Sequence, residues 1–175
     1  MGRLILCIAE SLDGYIADKR GSVDFLFEKP RIEPDNEYTS FYKEVESILF
    51  GSATYDQIVE DFQREGSWPY PGKDCYVFSQ SRTSGEGVIF TALSPRRFTE
   101  EVIRPAKGDS WLFGGRRLIH SFMREDLIDA YWIYVCPVIL GGGVPLFSTS
   151  PRFNLDLVST SKVDGMVKLF YNRQH

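Results

Sequence analysis

Three short segments carry the residue types that can do chemistry together: Phe50-Gly51-Ser52-Ala53-Thr54, Phe78-Ser79-Gln80-Ser81-Arg82 and Phe113-Gly114-Gly115-Arg116. Each follows an apolar run and ends in small, hydroxyl or cationic residues. The first and third lead into helical patterns, so their glycines expose backbone N–H groups at the positive end of a helix dipole. That chemistry suits a phosphate, because no Cβ blocks its approach. The second adds two hydroxyls and a guanidinium, the donors that an additional ribose phosphate needs. The same glycine pair also serves a plain tight turn between strand and helix, and both readings stand on this stretch alone. The spacing G-x-G-x-x-G is absent, so a dinucleotide here is held by some other scheme.

The elements that must position these segments are legible from periodicity. Leu4 to Ala9 reads as a strand buried on both faces, and Asp13-Gly14 as a turn before the extended Tyr15-Ile16-Ala17. Asp35 or Asn36 caps a helix whose face holds Tyr38, Phe41, Tyr42 and Val45. A strand from Ser47 to Phe50 then precedes a helix with Tyr55, Ile58, Val59 and Phe62 on one side. Glu65 to Asp74 forms a surface loop, followed by strands Cys75 to Phe78 and Val88 to Thr91. Ser94-Pro95 starts a helix that runs to about Arg104. Trp111 to Phe113 ends a buried strand, and Leu118, Ile119, Phe122 and Met123 share the buried face of the next helix. Tyr131 to Leu140 reads as a long strand interrupted by Pro137. Phe153 to Ser161 and Met166 to Tyr171 form a closing hairpin around Asp164-Gly165. The expected architecture is a single three-layer α/β/α domain around a mixed sheet of about eight strands, mostly parallel until the antiparallel C-terminal hairpin. Open sheets of this kind bind ligands at the carboxyl ends of their strands, where all three segments fall.

Composition narrows the function classes. A net charge of -4 speaks against a nucleic-acid or anionic-membrane surface. Cys7, Cys75 and Cys136 sit in strand-like runs without metal-ligand spacing, so they read as buried free thiols of a reducing compartment. With only His120 and His175, no histidine metal site is expected. No signal peptide is expected, since Arg3 interrupts the start. Ala130 to Pro151 is uncharged, but its prolines and glycines would break a spanning helix. These features predict a soluble cytoplasmic protein.

SLDGYIAD (Ser11 to Asp18), ILFGSATYD (Ile48 to Asp56), SQSR (Ser79 to Arg82), WLFGGRRLIHSF (Trp111 to Phe122) and PVILGGGVPLF (Pro137 to Phe147) together resemble a known family. The chain is similar to the dihydrofolate reductase-like fold, and specifically to the reductase domain at the C-terminus of the bifunctional riboflavin-biosynthesis protein RibD and its stand-alone relatives. The resemblance implies an NADPH site. Ala9, Ile16 and Ala17 would border the nicotinamide end. Gly51, Ser52, Thr54, Gly114, Gly115, Arg116, Arg117 and Leu118 would lie along the pyrophosphate. Ser79, Ser81 and Arg82 would meet the adenosine ribose and its 2′-phosphate. Asp24, Phe41, Leu140 and Gly141 would lie toward the substrate.

Dihydrofolate reductases also place a carboxylate near the start of the matching helix to support protonation. Counting back from Gly51, Asp35 or Glu37 falls near that place, with Asp24 a further candidate; Asp35 equally suits a helix cap and Glu37 a first-turn charge. Between Phe25 and Val45 the chain departs from the Ile-Thr-Gly segment with downstream Arg and His typical of riboflavin-pathway reductases. The implied activity is therefore hydride transfer from NADPH to a small pteridine- or pyrimidine-like ring, in a homodimer. A non-catalytic nucleotide-binding or sensor protein on the same fold is the alternative.

Overall fold

The computed structural model describes residues 1–27, 36–65, 68–85, 87–148 and 151–174, with positions 36, 37 and 61–65 described through their backbone alone. Its main sheet contains β1 (Leu4–Ser11), β3 (Val45–Gly51), β4 (Asp74–Phe78), β5 (Ile89–Thr91), β6 (Asp109–Gly114), β7 (Ala130–Cys136), β9 (Leu155–Val163) and β10 (Met166–Arg173). The spatial order is β5-β4-β3-β6-β1-β7-β10-β9. Every neighbouring pair from β5 through β7 is parallel, and β10 and β9 are antiparallel. This is the expected mixed sheet with its closing hairpin.

Helices α1 (Asn36–Glu44), α2 (Ser52–Glu65), α3 (Pro95–Phe98) and α4 (Arg116–Arg124) supply the outer layers. The chain steps toward β5 after β1 and after β3, and back toward β7 after β5 and after β6. Right-handed crossovers therefore put α1 and α2 on one face, and α3 and α4 on the other. Burial agrees. Phe41 and Tyr55 join Ile5, Cys7, Ile48, Phe50, Val77 and Trp111 in one cluster. Phe98 and the predicted α4 face, Leu118, Ile119, Phe122 and Met123, join Leu4, Leu6, Leu49, Leu112 and Ile133 in the other. The strict alternation along each strand follows from the two-residue period of the pleat. Burying such an α4 side chain stabilises the domain by roughly 1.5–3 kcal/mol relative to exposure.

Several boundaries differ from the sequence expectation. Val45 opens β3 opposite Asp109 instead of closing the α1 face, and is 1% exposed. The predicted strand to Leu140 stops at Cys136, because Pro137 has no N–H to continue the ladder. The hairpin strand begins at Leu155, not Phe153. The helix from Ser94-Pro95 forms as expected, with Ser94 Oγ accepting from Arg97 N at 3.4 Å, but widens into a π turn over Thr99–Ile103. A second small sheet pairs β2 (Tyr15–Ala17) with β8 (Val144–Pro145). The side chain of Phe62 lies outside the described residues, as does Gly66. All three cysteines are buried and none is in a disulfide, and among the described residues no helix is long and apolar enough to cross a membrane.

Candidate functional site

The sheet reverses its winding between two adjacent strands, β3 and β6. The connection after β3 passes over one face and the connection after β6 over the other. Two neighbouring strands whose following helices diverge leave a crevice at their carboxyl ends, the preferred ligand position of open α/β sheets. Here that crevice is bounded by Gly51-Ser52 at the start of α2 and by Gly114-Gly115 at the start of α4.

Both glycine turns are built for close approach. A Cβ on Gly51 would lie 3.5 Å from Gly115 N and 3.8 Å from both Gly114 O and Leu118 Cβ. A Cβ on Gly115 would lie 2.8 Å from Thr54 Oγ1. Gly114 adopts φ +132, a region that favours glycine, and the Gly114–Gly115 peptide is cis. Gly115 caps α4 through its backbone alone: its carbonyl accepts from Leu118 N at 3.0 Å and Ile119 N at 3.1 Å. As first-turn residues, Arg116 and Arg117 have N–H groups with no acceptor inside the helix. Arg116 is exposed and donates to Ser148 Oγ at 3.0 Å. The structure thus gathers Gly51, Ser52, Thr54, Gly114, Gly115 and Leu118 from segments about sixty residues apart in sequence.

The third segment follows β4, the other neighbour of β3, where Phe78 is in register with Gly51. Ser79 Oγ accepts the N–H groups of Ser81 at 3.3 Å and Arg82 at 3.1 Å, which shapes the turn that carries the guanidinium. Arg82 is already engaged. Its two terminal nitrogens each donate to one carboxylate oxygen of Asp56 on α2, the second at 3.0 Å. That contact raises the arginine's already high pKa. Asp56 lies inside the ILFGSATYD segment, yet nothing in its local pattern marks it as Arg82's partner.

On the other side of β6, β1 ends at Ala9, Glu10 and Ser11, and Ile16 and the buried Ala17 follow in β2. The glycine loop after β7 folds onto this region. Asp13 joins the two: its carboxylate accepts from Ser11 Oγ at 2.6 Å, Leu140 N at 3.1 Å and Gly141 N at 2.8 Å. The Ser11 hydroxyl and then the two amides hold the Asp13 carboxyl below its ordinary range. Leu12 N also donates to Val138 O at 2.8 Å, and Leu146 N to Gly14 O at 3.0 Å. A Cβ on Gly143 would run into the Ala17 carbonyl, so only glycine permits this docking. In sequence Asp13-Gly14 reads as a turn alone, and only the fold gives the carboxylate this role. Glu10 likewise carries no local signal. Its Oε2 is buried with no hydrogen-bond partner among the described residues, and burial raises its carboxyl pKa.

The α1 flank is aromatic. Phe41 is 3% exposed, with ring centroids 5.6 Å from Trp111 and 4.9 Å from Trp132. Tyr38 and Tyr70 meet Trp111 edge-on at 6.2 and 5.9 Å, and burial pushes the Tyr38 phenol up to about 12 and Tyr70 up as well. Trp111 Nε1 donates to Cys7 O at 2.8 Å. Phe41 also lines a cleft of about 460 Å³ with Ser40, Glu44, Trp132, Lys168 and Phe170, which includes none of the glycine-turn residues. Asp24 stands exposed in a short 3-10 turn, Asp24–Leu26. Asp35 lies outside the described residues, and Glu37 is described only as a backbone position in the first turn of α1.

Residues 106–169 match the family model of the RibD C-terminal domain. The Bacillus subtilis protein YwjB is 38% identical over 174 residues, spanning 98% of each chain. The crystal structure of a putative riboflavin biosynthesis protein from Shewanella sp. PV-4 superposes with a TM-score of 0.80 at 28% identity, over the full length of both chains. Dihydrofolate reductase from Enterococcus faecalis, solved with NADP(H), superposes with a TM-score of 0.65 at 15% identity, covering 99% of this chain and 97% of that one, and shows the shared fold. The mixed, mostly parallel sheet agrees with this shared fold. The chain belongs to the family of stand-alone proteins that carry the RibD C-terminal domain on a dihydrofolate reductase-like fold.

Proposed function

We propose that the protein is an NADPH-dependent reductase that transfers a hydride to a small pteridine- or pyrimidine-like ring, acting as a cytoplasmic homodimer. The observation that supports this most is the meeting of two glycine turns at the β3/β6 crevice, where helix N-termini converge. A dinucleotide's pyrophosphate suits these helix N-termini, where a Cβ at Gly115 would crowd the Thr54 hydroxyl. When bound, NADPH supplies a hydride for a C=N bond of the substrate ring.

The chain's own residues do the rest. N–H groups of Gly115, Arg116 and Arg117 and the hydroxyls of Ser52 and Thr54 hold the pyrophosphate, beside Gly51, Gly114 and Leu118. Ser79, Ser81 and Arg82 hold the adenosine ribose and its phosphate. Ala9, Ile16 and Ala17 border the nicotinamide end, where Asp13 fixes the loop carrying Leu140 and Gly141. Phe41 and its aromatic neighbours exclude water from the ring. The nitrogen of the reduced bond takes a proton, and Glu37 or Asp35 at the start of α1 delivers it, with Asp24 as the next candidate.

The test is NADPH oxidation followed against dihydrofolate, pterins and aminopyrimidines. Turnover is expected with one of these classes, and Glu37→Gln or Asp35→Asn should lower it by about tenfold or more for the acting residue. Nucleotide binding without oxidation of NADPH by any acceptor would instead make the protein a non-catalytic nucleotide binder. Near-normal turnover in both variants would pass the role to Asp24 or to water.

A further inference from the structure

The Asp56–Arg82 pair joins α2 to the turn after β4, at the end of the crevice proposed for the adenosine ribose. The guanidinium meets the carboxylate at two points, one terminal nitrogen to each oxygen. Both partners are held on short tethers. Asp56 rides on α2 one turn beyond Ser52, and the Arg82 backbone is pinned by Ser79 Oγ. Both side chains are also about half exposed, at 44% and 45%. The pair is therefore open to an incoming anion and screened enough to exchange partners without a large penalty. Arg82 is the only Lys or Arg between Ser79 and Thr91, and Ser52 to Asp56 contains none. Asp56 therefore offsets the one cationic side chain of these two segments.

We propose that Asp56 sets the cofactor preference of this site by competing with the 2′-phosphate for Arg82, an inference that rests on the nucleotide reading above. A 2′-phosphate must draw the guanidinium away from Asp56 or share it with that carboxylate at a repulsive distance. A free ribose 2′-hydroxyl meets the opposite situation, because it donates a hydrogen bond and Asp56 is an acceptor. An acidic residue plays this part toward the 2′-hydroxyl in dinucleotide sites of other architecture. One ion pair thus serves both nucleotides, Arg82 toward NADPH and Asp56 toward NADH. Discrimination between them is lower than an unpaired arginine would produce.

The test is calorimetric titration of NADPH, NADH, 2′,5′-ADP and 5′-AMP against the wild type, Asp56→Asn, Arg82→Ala and the double variant. Asp56→Asn should tighten NADPH and 2′,5′-ADP by about two- to fivefold, the range of an exposed ion pair. NADH and 5′-AMP should weaken or stay constant. Arg82→Ala should weaken only the 2′-phosphorylated ligands, and for these the double variant should match it, because no arginine is left to compete for. Asp56→Ala, with its thermal midpoint recorded, must reproduce the ordering of Asp56→Asn. Weaker NADPH binding in Asp56→Asn, or no change, overturns the inference: the aspartate would then orient the arginine or be idle. If the wild type binds both nucleotides but neither substitution separates them, the inference fails and the nucleotide reading survives. A wild type that binds neither nucleotide overturns both.

Discussion

Gly115 and Thr54 approach so closely that a Cβ on the glycine would lie 2.8 Å from the threonine hydroxyl oxygen. The threonine is β-branched and sits in the first turn of α2, so it has little freedom to turn aside. Gly115→Ala should therefore close the crevice at the point that the proposed pyrophosphate would share between both nucleotides. NADPH and NADH should weaken equally, by about tenfold, as for the loss of one charge-assisted hydrogen bond. Titration of both ligands checks this; unequal losses would move the turn to the ribose end of the site.

Asp13 ties the loop after β1 to the glycine loop after β7 through the amides of Leu140 and Gly141. Asp13→Ala leaves both amides without their acceptor. Their hydrogen exchange should accelerate by about tenfold or more, while the β1 and β6 amides keep their protection. If the proposed nicotinamide end depends on this loop, the KM for NADPH rises in the same variant. The Asp13 carboxyl is held below its ordinary range, so its stabilisation is present above the unfolded carboxylate pKa. It is lost as pH falls through the depressed folded value. Unchanged exchange at Leu140 and Gly141 would remove the latch.

Glu10 has the opposite linkage. Burial raises its pKa, so the folded chain binds a proton that the unfolded chain has already released. Its relative stabilisation is fully present below the unfolded carboxyl value of 4.5 and declines as pH rises through the folded value. Glu10→Gln removes the buried charge. The midpoint of thermal unfolding at about pH 7.5 should rise by about 2–4 °C, the shift that ~1 kcal/mol produces in a domain of this size. Little change is expected near pH 4. An equal shift at both pH values would show that ionisation of Glu10 is not the cause.

The edge strand β9 exposes Leu157 and Val158, and Val167 is exposed on β10 beside it. A nine-residue edge strand with apolar side chains is a ready surface for pairing with a second copy. The proposed homodimer should give a scattering mass of twice the chain, and Val158→Lys should return it to the monomer mass at micromolar concentration. A wild-type monomer under those conditions removes the dimer.

Local pattern was enough for most elements. The face Leu118, Ile119, Phe122 and Met123 follows from a 3.6-residue period, and all four are buried. The three strand ends were legible because glycine and hydroxyl residues interrupt apolar runs at fixed places, and the antiparallel hairpin because Asp164-Gly165 separates two extended runs. Such signals depend on neighbours a few residues away, and the chain carries them before it folds.

Tertiary structure decided what depends on distant partners. Val45 continues the α1 period in sequence, yet its place beside Asp109 in the sheet makes it a strand residue. The glycine loop after β7 packs against the Ala17 carbonyl, a contact that no local pattern announces. The order β4-β3-β6-β1 turns three separate segments into one crevice. Asp56 reaches Arg82 across 26 residues and Asp13 reaches Gly141 across 128. Neither carboxylate has a local signature for its partner. Each reads in sequence as a helix charge or a turn residue, and only the packing of strands and loops brings it to the group it holds.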